Sequence, residues 1–191
     1  MSAPARSRII FPVTEPPSGR RRYTHASASA ALASALALRD DVWRPLVGFR
    51  EATRWTRLLP SQDVADVVDP SLHDELAGAE VWLLSWLPGQ GTALHDHGPS
   101  SGAFAVAHGR MFERVVTAGR RGRRPRELGA DLVAGRVRMF GAGYVHQVRN
   151  TSAEPAVSVH VYAPRLSGRN TYRLENSRLE RIGTEQPGVD R

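Results

Sequence analysis

The sequence contains no cysteine. That excludes a disulfide scaffold, a thiolate zinc site, an iron–sulfur cluster and a cysteine nucleophile. It also contains no lysine, all 26 basic residues being arginine, a uniformity that points to GC-rich coding more than to phosphate contacts. No apolar run approaches the ~18 residues of a membrane span. The N-terminal MSAPARSRIIFPVTEPPSGRRR lacks the apolar centre of a secretory signal. The expectation is a soluble cytoplasmic protein with no membrane partner.

What is present fits one globular domain. The chain has 191 residues, 41% of them hydrophobic and 24% charged, enough to bury a proper core. A net charge of +7 would by itself suggest nucleic acid. Its placement argues otherwise. Five arginines against Glu15 lie in residues 1–24, and five more lie at Arg120, Arg121, Arg123, Arg124 and Arg126. The rest of the chain is slightly acidic, and no aromatic residues interleave with the 120–126 run as single-strand binding requires. Both runs read as solvated segments, with no nucleic-acid partner.

Residues 1–24, rich in Pro, Ser, Gly and Arg, read as a disordered basic tail. Residues 25–79 read as a helical segment: SASAALASALALR (27–39), a second helix over 40–47, then short helices broken by Pro70. From Glu80 the texture becomes strand-like. VWLLSWL (81–87), GAFAVAHGRMFERVV (102–116) with a turn at His108-Gly109, LVAGRVRMFGAG (132–143), HQVRN (146–150) and AVSVHVYAP (156–164) are short strands separated by turn residues. This predicts an all-β barrel over 80–165, with 166–191 as a C-terminal surface extension.

Of seven histidines, most would ordinarily be surface or core residues. His73 in SLHDEL reads as exposed on a helix, and His108 as part of a turn. In His95-Asp96-His97 the two imidazoles share one strand face and can grip one metal, with Asp96 facing away. His146 is a natural third ligand on a later strand. Ser158, His160 and Tyr162 share a face of another strand, with Val157, Val159 and Val161 opposite. All three polar side chains donate and accept, so Ser158 can fix the His160 tautomer and His160 can orient the Tyr162 hydroxyl. Such a chain explains polar groups facing a barrel interior, where unpaired ones cost roughly 1–3 kcal/mol each. Trp82 and Trp86 share a strand face and read as core.

These residues together resemble the cysteine dioxygenases, thiol dioxygenases of the cupin superfamily. Gly89, His95-Asp96-His97 and Gly109 match the first cupin motif; Gly135, Gly143, His146 and Asn150 match the second; Ser158, His160 and Tyr162 match the family's Ser-His-Tyr strand. RWTRLL (54–59) resembles the segment whose arginine binds the substrate carboxylate, which maps to Arg57. GPSSGA follows the HxH pair where general cupins carry a glutamate ligand; that absence is typical of thiol dioxygenases. Gly102 stands where mammalian members have a cysteine crosslinked to the tyrosine, so the resemblance implies an unmodified Tyr162. Gly141 replaces the usual proline of the second motif, and Trp55 replaces a tyrosine.

The resemblance implies an all-β fold with N-terminal helices, a cupin (jelly-roll-like) β-barrel. It implies Fe(II) held by His95, His97 and His146, with a small-molecule thiol and O2 as partners. Arg57 would hold the carboxylate of L-cysteine, Tyr162 would contact substrate or oxygen, and His160 and Ser158 would support Tyr162. The product would be cysteine sulfinate. Other readings stay open: 3-mercaptopropionate as substrate, a cupin that binds metal or ligand without turnover, or a zinc or nickel cupin isomerase or hydrolase. The oligomeric state is open, a monomer included.

Overall fold

The structure is a computed structural model that describes residues 25–117 and 124–186. The basic tail 1–24 and Arg120, Arg121 and Arg123 lie outside the described residues. Among those described, no helix is long and apolar enough to cross a membrane.

Alanine and leucine between residues 25 and 37 make α1 (His25–Ala37), since both lose little side-chain freedom in a helix. Its buried stripe is Ala28, Leu32, Ala33, Leu36 and Ala37, the spacing of one helical face. α2 (Asp40–Trp43) runs into a single 3-10 turn, Arg44–Leu46. Pro70 interrupts the next stretch as expected, leaving α3 (Ser61–Val64) and α4 (His73–Gly78). The expected helical segment 25–79 is broken between these helices by a strand. β1 (Trp55–Leu59) pairs with β2 (Glu80–Trp86) along its whole length.

The remaining strands are β3 (Leu94–His95), β4 (Ser101–His108), β5 (Arg110–Thr117), β6 (Arg126–Val133), β7 (Val137–Phe140), β8 (Val145–Arg149), β9 (Ala156–Ala163), β10 (Arg169–Glu175) and β11 (Arg178–Glu185). They form a five-stranded sheet, β1-β2-β9-β4-β7, and a six-stranded one, β11-β10-β3-β8-β5-β6. Every pairing is antiparallel. The all-β class with N-terminal helices is borne out, as the double-sheet barrel of a cupin. β4 and β5 meet at His108-Gly109, with Gly109 at φ +76° in the turn, a conformation glycine reaches without strain.

The chain after Pro164, expected from its polarity as a surface extension, is ordered as a hairpin. It folds back as the β10–β11 hairpin, and Thr171 and Tyr172 pair with His95 and Leu94 of β3. Polar composition concealed it because one side of an edge hairpin faces water.

β9 explains the two cores. All eight of its residues are buried. Val157, Val159 and Val161 face α1 and the helical layer, where they pack with Leu32, Leu36 and Leu83. Burying each valine contributes ~1.5–3 kcal/mol. Ala156 and Tyr162 face the other way, into a second core between the sheets with Trp86, Phe104, Met111 and Phe140.

Opposite Tyr162 on β4 stands Gly102. A Cβ there would collide with the Val161 carbonyl oxygen and meet the Phe140 ring at 2.9 Å. Gly102→Ala is therefore expected to destabilise the fold by about 1–3 kcal/mol through overpacking. Thermal denaturation checks this, and an unchanged or raised Tm would show that the Phe140 side of the barrel yields freely.

Candidate active site

The barrel geometry brings the two halves of the histidine set together. β3 and β8 pair at His95↔His146, placing those residues directly across one ladder. His97 follows two residues after His95, where the chain leaves the strand, and returns to the same side. The three ring centroids lie 4.8–5.1 Å apart. One nitrogen from each ring falls within 4.8 Å of the others. All three residues are buried.

Outer contacts decide which nitrogens face inward. His95 Nδ1 donates to the Ala93 carbonyl at 2.8 Å. His146 Nδ1 donates to Glu113 Oε1 at 2.8 Å. Each therefore leaves its Nε2 to face the other rings, and the His146 Nε2 is buried with no hydrogen-bond partner. His97 Nδ1 is likewise buried without one. Buried polar atoms are nearly always satisfied, so these orphans fit a metal ion as the missing partner. Burial holds the pKa values of His95 and His97 well below the ordinary range, and the neighbouring imidazoles push the same way. Neutral imidazole is the ligand form.

Asp96, between two of these histidines, points away from them as expected. It accepts from Gly98 N and Asn170 Nδ2, both at 2.9 Å, and from Tyr172 Oη at 2.7 Å. The C-terminal hairpin is thus tied to the HxH segment by a buried carboxylate.

The Ser-His-Tyr face is assembled as a chain. Trp86 Nε1 donates to Ser158 Oγ at 2.9 Å. Ser158 Oγ lies 2.9 Å from His160 Nε2, and Tyr162 Oη lies 3.3 Å from His160 Nδ1. His160 also stacks on Phe104, centroids 5.0 Å apart. Burial, helped by His146 and Arg54, lowers the His160 pKa from 6.5 to about 3. Burial raises Tyr162 to about 12, against opposing pulls from Arg54 and Arg169. Both are neutral at physiological pH. The Tyr162 ring lies 4.9 Å from that of His97, so the chain ends beside the three histidines.

Strand parity turns Arg57, expected as the substrate arginine, away from the cavity. Leu59 and Trp55 of β1 pack into the helical-side core, and Arg57, two residues from each, shares their face. Arg57 is exposed and does not line the cavity. Arg54 and Thr56 take the other face and do line it. The Arg54 guanidinium stands 5.7 Å from the Trp86 ring centroid, over its face. The parity signal was legible in RWTRLL, where Trp55 and Leu59 are the core residues, once the stretch is read as strand rather than as part of a helical segment. Trp82 and Trp86, expected as core alone, also line the cavity. Arg169 and Gln186 reach it from the C-terminal hairpin, and Arg169 pairs with Glu185. His108 is exposed on the β4–β5 turn and His73 on α4, both outside the site. Asn150 acts structurally: its Nδ2 donates to the Trp86 and Glu154 carbonyls and anchors the β8–β9 turn.

Three buried imidazoles converging in the mouth of an antiparallel double sheet define a class of protein, a double-sheet β-barrel whose site fits a metal ion. The particular family is also shown: the chain belongs to the family described as cysteine dioxygenase type I, whose profile matches residues 51–175. Among solved structures it is similar to TT1209 from Thermus thermophilus, at 26% identity and a TM-score of 0.45, over 64% of this chain and 93% of that one. It is also similar to a recombinant oxalate oxidase solved with glycolate, at 16% identity and TM-score 0.46, over 60% of this chain and 53% of that one. The oxalate decarboxylase of Lactobacillus farciminis gives 15% identity and TM-score 0.48, over 64% of this chain and 32% of that one.

The depressed histidines predict an acid-labile metal-free protein. His160 stays neutral in the fold down to about pH 3 but takes a proton near 6.5 once unfolded. Its contribution is present above pH 6.5 and is lost as pH falls from 6.5 toward 3, at ~1.4 kcal/mol per unit for each such group. His95 and His97 act in the same direction. The Tm of chelator-treated protein should fall steeply below about pH 6.5; a Tm flat from pH 7 to 5 would contradict the burial of neutral imidazoles.

Proposed function

We propose that this protein is a non-haem iron thiol dioxygenase that converts L-cysteine and O2 to cysteine sulfinate. The observation that carries this reading is one cavity lined by three convergent histidines, a cationic Arg54 and a buried, neutral Tyr162. Membership of the cysteine dioxygenase type I family supports it.

His95, His97 and His146 would hold Fe(II), for which imidazole is a suitable ligand. When bound, the metal supplies the Lewis acidity that lowers the thiol pKa and the redox centre at which thiol and dioxygen meet. The net change is RSH + O2 → RSO2⁻ + H⁺, with both oxygen atoms on sulfur. The chain's own residues bind and orient. Arg54, backed by the Trp86 face, offers a planar fork to the substrate carboxylate. That role moves from Arg57 to Arg54. Trp86 donates into Ser158, which leaves the serine proton for His160 Nε2. His160 then carries its proton on Nδ1 and donates it to the Tyr162 oxygen, so the phenolic proton is free to point into the cavity. Trp82, Leu84 and Leu166 form the apolar part of the wall and limit access of water.

Oxygen uptake by anaerobically Fe(II)-loaded protein, with L-cysteine and 3-mercaptopropionate in parallel, is the direct test. Uptake matched by cysteine sulfinate is expected. Faster turnover of 3-mercaptopropionate would keep the chemistry and replace the substrate. No uptake with either thiol at full iron occupancy would leave a cupin without this activity.

Two substitutions separate the arginines. Arg54→Ala should raise KM for carboxylate-bearing thiols by roughly 10–100-fold, the worth of a charge-assisted contact. Arg57→Ala should leave kcat/KM within about twofold, as an exposed residue outside the cavity would. The reverse pattern in steady-state kinetics would return the carboxylate to Arg57.

A further inference from the structure

The reaction leaves one buried charge unexplained. Glu113 on β5 is fully buried, 0% exposed, in a barrel interior it shares with Met111 and Val148. A lone carboxylate there is costly unless it is paired and hydrogen-bonded. It accepts from His146 Nδ1 at 2.8 Å and from Tyr144 Oη at 3.4 Å, and forms an ion pair with Arg138 Nε at 3.0 Å. The Arg138 side chain is 40% exposed. A line of charge therefore runs from the surface through Arg138 and Glu113 to His146. Burial raises the Tyr144 phenol to about 12, and Glu113 adds to that shift, so Tyr144 stays a neutral donor to the carboxylate.

The outer contacts of the three clustered histidines differ. His95 donates to a neutral carbonyl. His146 alone donates to a carboxylate. A carboxylate on the far nitrogen fixes the imidazole tautomer and ring angle and makes the near nitrogen a better donor.

We propose that Glu113 is the positioning residue of the metal site, holding His146 as its anchoring ligand, with Arg138 keeping the carboxylate in place. The inference rests on the three-histidine metal site proposed above. Glu113 lies outside the HxH motif because the strand-to-strand ladder, not local sequence, brings it to His146: Val115 of β5 pairs with His146, and Glu113 sits two residues along on the same face.

The test uses Co(II), which reports coordination by its visible d–d absorption, added to the metal-free full-length protein. Wild type, Glu113→Gln and His95→Ala are titrated by calorimetry and followed by absorption. Glu113→Gln should bind Co(II) 10–100-fold more weakly, with a shifted d–d spectrum and an unchanged far-UV circular dichroism. Equal affinity and an identical spectrum in Glu113→Gln, with His95→Ala impaired, would overturn the role of Glu113 and leave the metal site standing. Failure of wild type to bind would overturn both. Should Glu113→Gln not fold, Arg138→Gln carries the test from the surface: weaker Co(II) binding upholds the proposal, and wild-type binding refutes it.

Discussion

The interior of this barrel is polar where most are not, and every polar group in it has to be held. Three imidazoles, a serine, a further histidine, a tyrosine and a glutamate are buried within one cavity and its wall. Leaving any of them unpaired costs on the order of 1–3 kcal/mol, more for the charge. The fold meets that cost with short chains of contacts that begin at carbonyls, at an indole or at the surface and end at the cavity. Ala93 carbonyl to His95, Trp86 to Ser158 to His160 to Tyr162, and Arg138 to Glu113 to His146 are three such chains. At the histidine cluster, His97 Nδ1 and His146 Nε2 remain buried without a protein partner among the described residues. The three rings fit a metal ion there.

Stability and function are therefore divided by the two faces of β9. Its valines face the helical layer and supply apolar burial. Its serine, histidine and tyrosine face the barrel as one hydrogen-bonded chain. The helices keep the outer face dry, so the sheet that carries the site is buried on both sides and its side chains have little room to move. α1 packs on the valine face of β9, opposite the cavity.

The C-terminal hairpin has a similar double role. Asp96 ties it to the HxH segment through Asn170 and Tyr172. In return the hairpin adds Arg169 and Gln186 to the cavity wall. Arg169 is met by Glu185, whereas Arg54 lies over the indole of Trp86. Cavity charge is thus set by pairings that lie far apart in the chain.

Much of this is legible in the sequence. The histidine pair at spacing two, the later His146 and the alternation of Ser158, His160 and Tyr162 with valines each follow from strand periodicity, which is a local property. The turns at His108-Gly109 and Ala134-Gly135 follow from glycine's backbone freedom, equally local. The face of β1, the hairpin after Pro164 and the partnership of Glu113 with His146 did not follow from sequence. The resemblance of RWTRLL put the substrate arginine at Arg57, and only the folded strand shows that Arg54 is the one lining the cavity. A lone acid in MFERVV carries no signal of its partner, because that partner lies 33 residues away across a ladder. Residue spacing determines which side chains share a face; which faces then meet is decided by sheet register, and register is set by the whole barrel closing around one core.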